Sequence, residues 1–215
     1  MAKMMVCVLA VFCGLLYSTT AVPVTTVAPG TTVTQALEAS LQKTAHVLAL
    51  TIEAYGSINT VHFSGTASYP DETVRTLPDP DDFITATDIE TSAMQDSEVL
   101  TTLKAHLHAF ERHLETVELE ELTLAQDDTT GQVQGVYEQV ANVHTKTTEL
   151  QTSLATTANV MGHTFDNTNE EVNPNPNLDE WSKTLHAYLT FRDYVTFLSN
   201  LERVFAELVE RESVA

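Results

Sequence analysis

Cysteine is nearly absent from this chain of 215 residues: there are two, Cys7 and Cys13, both within its first thirteen positions. The remaining two hundred or so residues must fold without a disulfide, and have no thiol for nucleophilic catalysis or for a cysteine-ligated zinc. Positive charge is almost as scarce, with 10 Lys and Arg against 30 Asp and Glu and a formal net charge of −20. Nucleic-acid phosphates and anionic membrane surfaces both call for a basic face, so this balance argues against either as a partner. There is no phosphate-cradling glycine loop, no Gly-x-Ser-x-Gly elbow and no Asn-x-Ser/Thr acceptor for N-linked sugar. Only one apolar run is long, Met4 to Tyr17, and it is too short to span a bilayer.

That run, with Lys3 before it and the small residues Thr19 and Ala21 after it, reads as a secretory signal over residues 1–21. Both cysteines fall inside it, so a secreted, disulfide-free domain is expected. Its charge without Lys3 would be −21. A cationic protein surface is the natural complement, and a surface kept acidic for solubility is the plain alternative. Residues 22–33 form a Thr-, Val- and Pro-containing leader without helical period, able to carry O-linked sugar or to remain bare.

Hydrophobic residues make up 43% of the chain, enough for a sizeable core. The strongest periodic stretch is Trp181 to Glu210, uninterrupted by Pro or Gly. Trp181, Leu185, Tyr188, Val195, Leu198, Phe205 and Leu208 recur at helical steps, and Leu189, Phe191, Phe197 and Leu201 widen the stripe beyond a two-helix seam. Such a rod is about 45 Å long at roughly 1.5 Å per residue and needs several long partners.

Three are available. Helix A is expected over 34–57, burying Leu37, Leu41, Ala45, Leu48, Ile52 and Tyr55 and stopping at Gly56. Helix B is expected over 92–124, with Ser92 and Gln95 as a capping box and Leu100, Leu103, Leu107, Phe110, Leu114 and Val117 inward. Helix C is expected over 132–161 on Val133, Val136, Val140, Val143, Leu150, Leu154 and Met161, and helix D over 178–211 after a cap at Asn177 paired with Glu180.

The connection 58–91 is long, with Pro70, Pro78, Pro80 and room for a short helix near Asp81 to Asp88, whereas 126–131 is a short turn. The expectation is one all-α domain over 34–212. It is a long-chain four-helix bundle with a long A–B crossover loop that permits up-up-down-down order.

Chemistry is thinly represented. His106, His108 and His113 cluster on helix B, but no pair has the i, i+4 spacing of a helical metal site, and solvated helix-face histidines are expected. Glu115, Glu118, Glu120 and Glu121 read as a solvated helix end, with no neighbouring nucleophile or apolar wall to split two carboxyl pKa values. No catalytic residue, metal or cofactor is expected.

Helix D resembles the last helix of the interleukin-6 superfamily of helical cytokines. The similarity is greatest with its ciliary neurotrophic factor, cardiotrophin and neuropoietin branch. That branch begins the helix with an aromatic followed three residues later by Lys, then shows an apolar residue, an Arg-acid-aromatic triplet and a later Arg. Here stand Trp181, Tyr188, the triplet Arg192, Asp193 and Tyr194, and Arg203; the Lys position holds Thr184, with Lys183 one residue early. Helix A and the loop behind it, from Leu37 through Tyr55 to Phe63, are similar in pattern, and the absence of cystines after the signal fits the same branch.

The resemblance implies a secreted ligand that crosslinks cell-surface receptor ectodomains and so triggers their associated kinases, itself doing no chemistry. Partners would be the shared signal-transducing subunit, the leukaemia inhibitory factor receptor and a specific alpha receptor, met by a monomer without membrane insertion. Trp181, Lys183 and Thr184 would form a third receptor site, a core tryptophan being the alternative for Trp181. Arg203 and Arg211 would belong to a first site, or else pair with Glu207 or Glu210 on the surface. Gln42, His46, Gln139, Asn142 and Lys146 are candidates for a second site on helices A and C. A secreted lipid or small-ligand carrier of apolipoprotein type is the competing reading. It is disfavoured by the nine basic residues left after the leader and the lack of Pro-punctuated repeats.

Overall fold

The computed structural model describes residues 31–69, 72–91, 94–165 and 179–214, and all regular structure among them is helical. Four long helices dominate: α1 (Val33–Phe63), α3 (Asp96–Asp127), α4 (Gln132–Val160) and α5 (Glu180–Val214). A short helix α2 (Ala86–Thr91) and a 3-10 turn at Pro80–Asp82 punctuate the connection between α1 and α3, in the region where one short helix was expected. None of the described helices is long and apolar enough to cross a membrane. The expected signal segment, the leader up to residue 30, Ser92 and Asn177 lie outside the described residues.

Capping chemistry explains the observed ends. Thr32 and Gln35 form a reciprocal capping box that starts α1. The helix then runs through Gly56, the expected stop, for two further turns. It ends where Ser64 (φ 53°) and Gly65 (φ 73°) turn left-handed and the Gly65 N–H donates to the Asn59 carbonyl. Gly56 is tolerated because one glycine in a helix of 31 residues costs only about 1 kcal/mol.

The start of α3 is set one turn later than the Ser92–Gln95 spacing implies. Gln95 is itself the N-cap, with Glu98 as its partner. For α5 the cap is Asp179, whose carboxylate accepts from the Ser182 N–H and is held below its usual pKa by the Ser182 hydroxyl and then by that N–H. At α4, Asp128 accepts from the N–H groups of Thr130 and Val133.

Each long helix packs on two others: α1 on α4 and α5, and α3 on the same pair. On the α1–α4 seam Ser40 meets Ser153 and Thr157, while Glu53 meets Gln139. On the α1–α5 seam Phe63 meets Trp181 and Tyr55 meets Tyr188. Between α3 and α5, Asp96 meets Arg211 and Glu120 meets His186. Between α3 and α4, Glu111 meets Gln151 and Glu118 meets His144. In every pair a later position on one helix faces an earlier position on the other, so each packed pair is antiparallel. The diagonal partners meet through side chains, as when the Tyr194 hydroxyl shares a hydrogen bond of 2.7 Å with Thr147.

The core is continuous from Leu37 to Leu208 and is densest around α5, where Phe191, Tyr194, Phe197 and Phe205 are fully buried. Phe110 of α3 packs on Tyr194 and Phe197, and Phe83 from the connection closes over Phe110 and Phe197. Burial of each such ring contributes about 1.5–3 kcal/mol.

The buried stripe of α1 departs from expectation. It is Leu37, Ser40, Thr44, Val47, Thr51, Ala54 and Ile58, while Ile52 is 52% exposed and Ala45 is half-buried. Leu41, Leu48 and Tyr55 reach the core only along its edge. The reason is steric. Small hydroxyl residues let α1 approach α4 closely, and the threonines satisfy themselves, Thr44 donating to the Ser40 carbonyl and Thr51 to that of Val47.

Candidate functional site

The start of α5 carries the most conspicuous surface side chain. Trp181 is 55% exposed although it opens the apolar stripe, which overturns its reading as a core residue. Its ring stands edge-on to Phe63 at 5.6 Å and to Tyr69 at 6.3 Å. Behind these, Tyr188 packs on Phe63, Tyr69 and Tyr55, and its hydroxyl donates to the Ala67 carbonyl. Tyr55 is held above its usual pKa by burial and by Tyr188. Arg192 fastens the connection over this platform, donating from Nη1 to the Tyr69 carbonyl and from Nη2 to that of Glu72 while Nε binds Asp193. The indole is thus held by ring contacts on the protein side while over half of the residue stays open to solvent. Thr184 turns its hydroxyl back to the Trp181 carbonyl at 2.9 Å, and Thr184 and Lys183 are both half-buried beside it.

The five residues expected on helices A and C lie along the α1–α4 seam in two separate clefts. Gln42, His46 and Lys146 line one with Lys43, Val47 and Glu149. Gln139 and Asn142 line the other with Leu50, Glu53, Gly135 and Glu138. Lys146 binds Glu149 at 2.6 Å, and that bond, with Lys43 and His46 nearby, lowers the Glu149 pKa. Gln139 donates to Glu53. Side chains of both charges ring the first cleft, which has two lysines in a chain that has few, and the second is acidic, with Glu53 and Glu138.

Towards the end of α5, Arg203 is exposed and Arg211 pairs with Asp96 of α3 at 3.4 Å, rather than with Glu207 or Glu210. Arg211 also lines a cleft with Glu90, Glu207, Glu210 and Val214. Arg203 and Arg211 are two turns apart on one helix.

The histidines and the acidic end of α3 are not the solvated groups expected. Glu120 and Glu121 are buried, and the three carboxylates nearest the end of the run each take a histidine from a different helix. Glu118 binds His144 of α4 at 2.6 Å, Glu120 binds His186 of α5 at 2.9 Å, and Glu121 binds His62 of α1 at 3.0 Å. His113, 1% exposed, lies between His186, at 2.9 Å from its Nδ1, and Thr76 of the connection, at 2.9 Å from its Nε2. Burial, and then the neighbouring His186, push the His113 pKa down to about 4. His106 is half-buried between Phe83 and Phe197 and is also lowered by burial, against the pull of Asp82. His108 alone of the three stays near solvent, beside Glu111.

The signal was in the stripe: Leu100, Leu103, Leu107, Phe110, Leu114 and Val117 continue by steps of three and four to Glu120 and Glu121. Among the described residues no three His, Cys, Asp or Glu side chains are grouped to hold a metal ion. In comparisons with protein-family models and with curated proteins, nothing matches this chain.

Proposed function

We propose that the chain is a secreted helical cytokine of the interleukin-6 superfamily type, a rigid body whose separate surface patches hold receptor ectodomains together. The observation that carries this reading is Trp181. A large flat aromatic, half in solvent and locked from behind by Phe63 and Tyr69, is an anchor for a partner's pocket at small entropic cost. The helix pairing supports it. α1 and α3 each pack antiparallel to α4 and α5, the pairing that an up-up-down-down order with a long crossover would give. The α1–α4 clefts and the far end of α5 are the further patches that crosslinking needs.

In this reading the Trp181 patch, flanked by Lys183 and Thr184, engages a receptor of the leukaemia inhibitory factor receptor or shared signal-transducer type. The α1–α4 seam with Gln42, His46, Gln139, Asn142 and Lys146 takes a second chain, and Arg203 and Arg211 belong to a site for a specific receptor. The protein performs no catalysis. Co-precipitation with a panel of cytokine receptor ectodomains tests it. Binding to at least one is expected, and Trp181→Ala should weaken it by about 30-fold or more, in the range of a 2 kcal/mol anchor. Binding indifferent to Trp181→Ala would remove the third site.

A further inference from the structure

The polar chain at the α3–α5 seam has a direction. Glu120, when ionised, can only accept, so His186 Nδ1 carries the hydrogen of their 2.9 Å bond. With His186 neutral, its Nε2 then accepts from His113 Nδ1–H, and His113 Nε2 accepts from the Thr76 hydroxyl. Every link is satisfied by two neutral imidazoles in one tautomer each. His113 and Glu120 are at least nine-tenths buried, whereas Thr76 is exposed on the connection. Glu120 Oε1 has no hydrogen-bond partner, leaving the carboxylate half-satisfied.

We propose that this chain is a proton-operated latch, which holds the stretch 73–82 of the connection against the helices at neutral pH and releases it on acidification. One added proton, on whichever ring it settles, leaves a hydrogen on His113 Nε2, so Thr76 has to turn from donor to acceptor. A second proton sets two imidazolium N–H groups against each other across 2.9 Å. The hydroxyl of Thr76 still accepts from His113, so the His113–His186 contact is the one that parts, and His113 moves outward with the stretch that covers it.

Among the described residues no other charged group is placed to relieve that encounter. On α3, Glu120 serves His186 and Glu121 is taken by His62 of α1; on α4, His144 is taken by Glu118. Asp82 acts on His106, and Glu72 and Arg75 flank Thr76 in sequence only. The stretch is anchored at one end by Arg192 on the Glu72 carbonyl and at the other by Phe83 in the ring cluster. Between these anchors Val74 and Leu77 rest on the core, and Thr76 is the contact that couples the stretch to a titratable group, so release is local.

Amide hydrogen exchange of the full chain, corrected for intrinsic pH dependence, tests the latch at pH 7.5 and 4.5. Protection of residues 73–82 should fall at least tenfold on acidification while α4 amides in 136–158 keep theirs. Thr76→Val should show low protection at both pH values, and Thr76→Ser should restore the step. Equal protection at both pH values, an unchanged step in Thr76→Val, or a parallel loss in α4 would each overturn the proposal. So would long-range proton–nitrogen spectra at pH 7.5 placing the hydrogen of either imidazole on Nε2. None of these readouts depends on receptor binding.

Discussion

At the scale of single residues, His113 is a titratable group held far from water. The folded protein favours its neutral form, because burial and His186 lower its pKa to about 4, whereas the unfolded chain protonates it below about 6.5. Stability is therefore at its full value above the unfolded pKa and falls as pH drops from about 6.5 towards 4. The loss from this residue is on the order of 3 kcal/mol. Urea titrations at pH 7.5, 5.5 and 4.5 should show that decline, and a midpoint that stays constant would contradict it.

Reading the sequence for helix-face histidines misses this, because a lone His at a stripe position looks the same whether its neighbours are water or other imidazoles. His186 and Glu120 lie 66 positions apart and only the fold joins them. Trp181 was the reverse case. Its spacing put it on the apolar stripe, and its exposure comes from standing at the first turn of α5, beyond the end of the packed core.

At the scale of elements, apolar periodicity was a faithful guide for α3, α4 and α5, whose inward rows are Leu-, Val- and Phe-rich. It failed on α1, where Ser40, Thr44 and Thr51 do the packing and Ile52 does not. A threonine whose hydroxyl bonds the carbonyl one turn back presents a methyl group to the core, which hydropathy patterning scores as polar.

Gly56 misled for a related reason: a glycine inside a helix looks like a stop unless the turns beyond it are seen to be packed, as Ile58 and Phe63 are. A methyl group added at Gly56 meets no atom within 4 Å, so the glycine carries only a backbone-entropy cost. Gly56→Ala should raise stability by about 0.5–1 kcal/mol, read as a higher thermal midpoint, and a lower midpoint would show an unrecognised need for glycine there.

At the scale of the whole molecule, the four long helices were legible, and so was the α3–α4 neighbour pair from the short turn between them, whereas the length of α1 and the remaining pairings were not. Loop length permits more than one pairing, and the choice is made by contacts such as Ser40 with Ser153 and Phe63 with Trp181. Because the four helices already cover one another's apolar faces, circular dichroism should report full helicity without lipid and no gain on adding anionic vesicles. A large gain would favour the carrier reading.

The grip of Arg192 on the connection has a consequence for how such a surface changes over generations. The guanidinium holds main-chain oxygens, which every amino acid supplies, so the identities of residues 69 and 72 are irrelevant to those two bonds. A molecule fastened in this manner is free to rewrite the outward side chains of that strap while its path stays put, provided one arginine is kept.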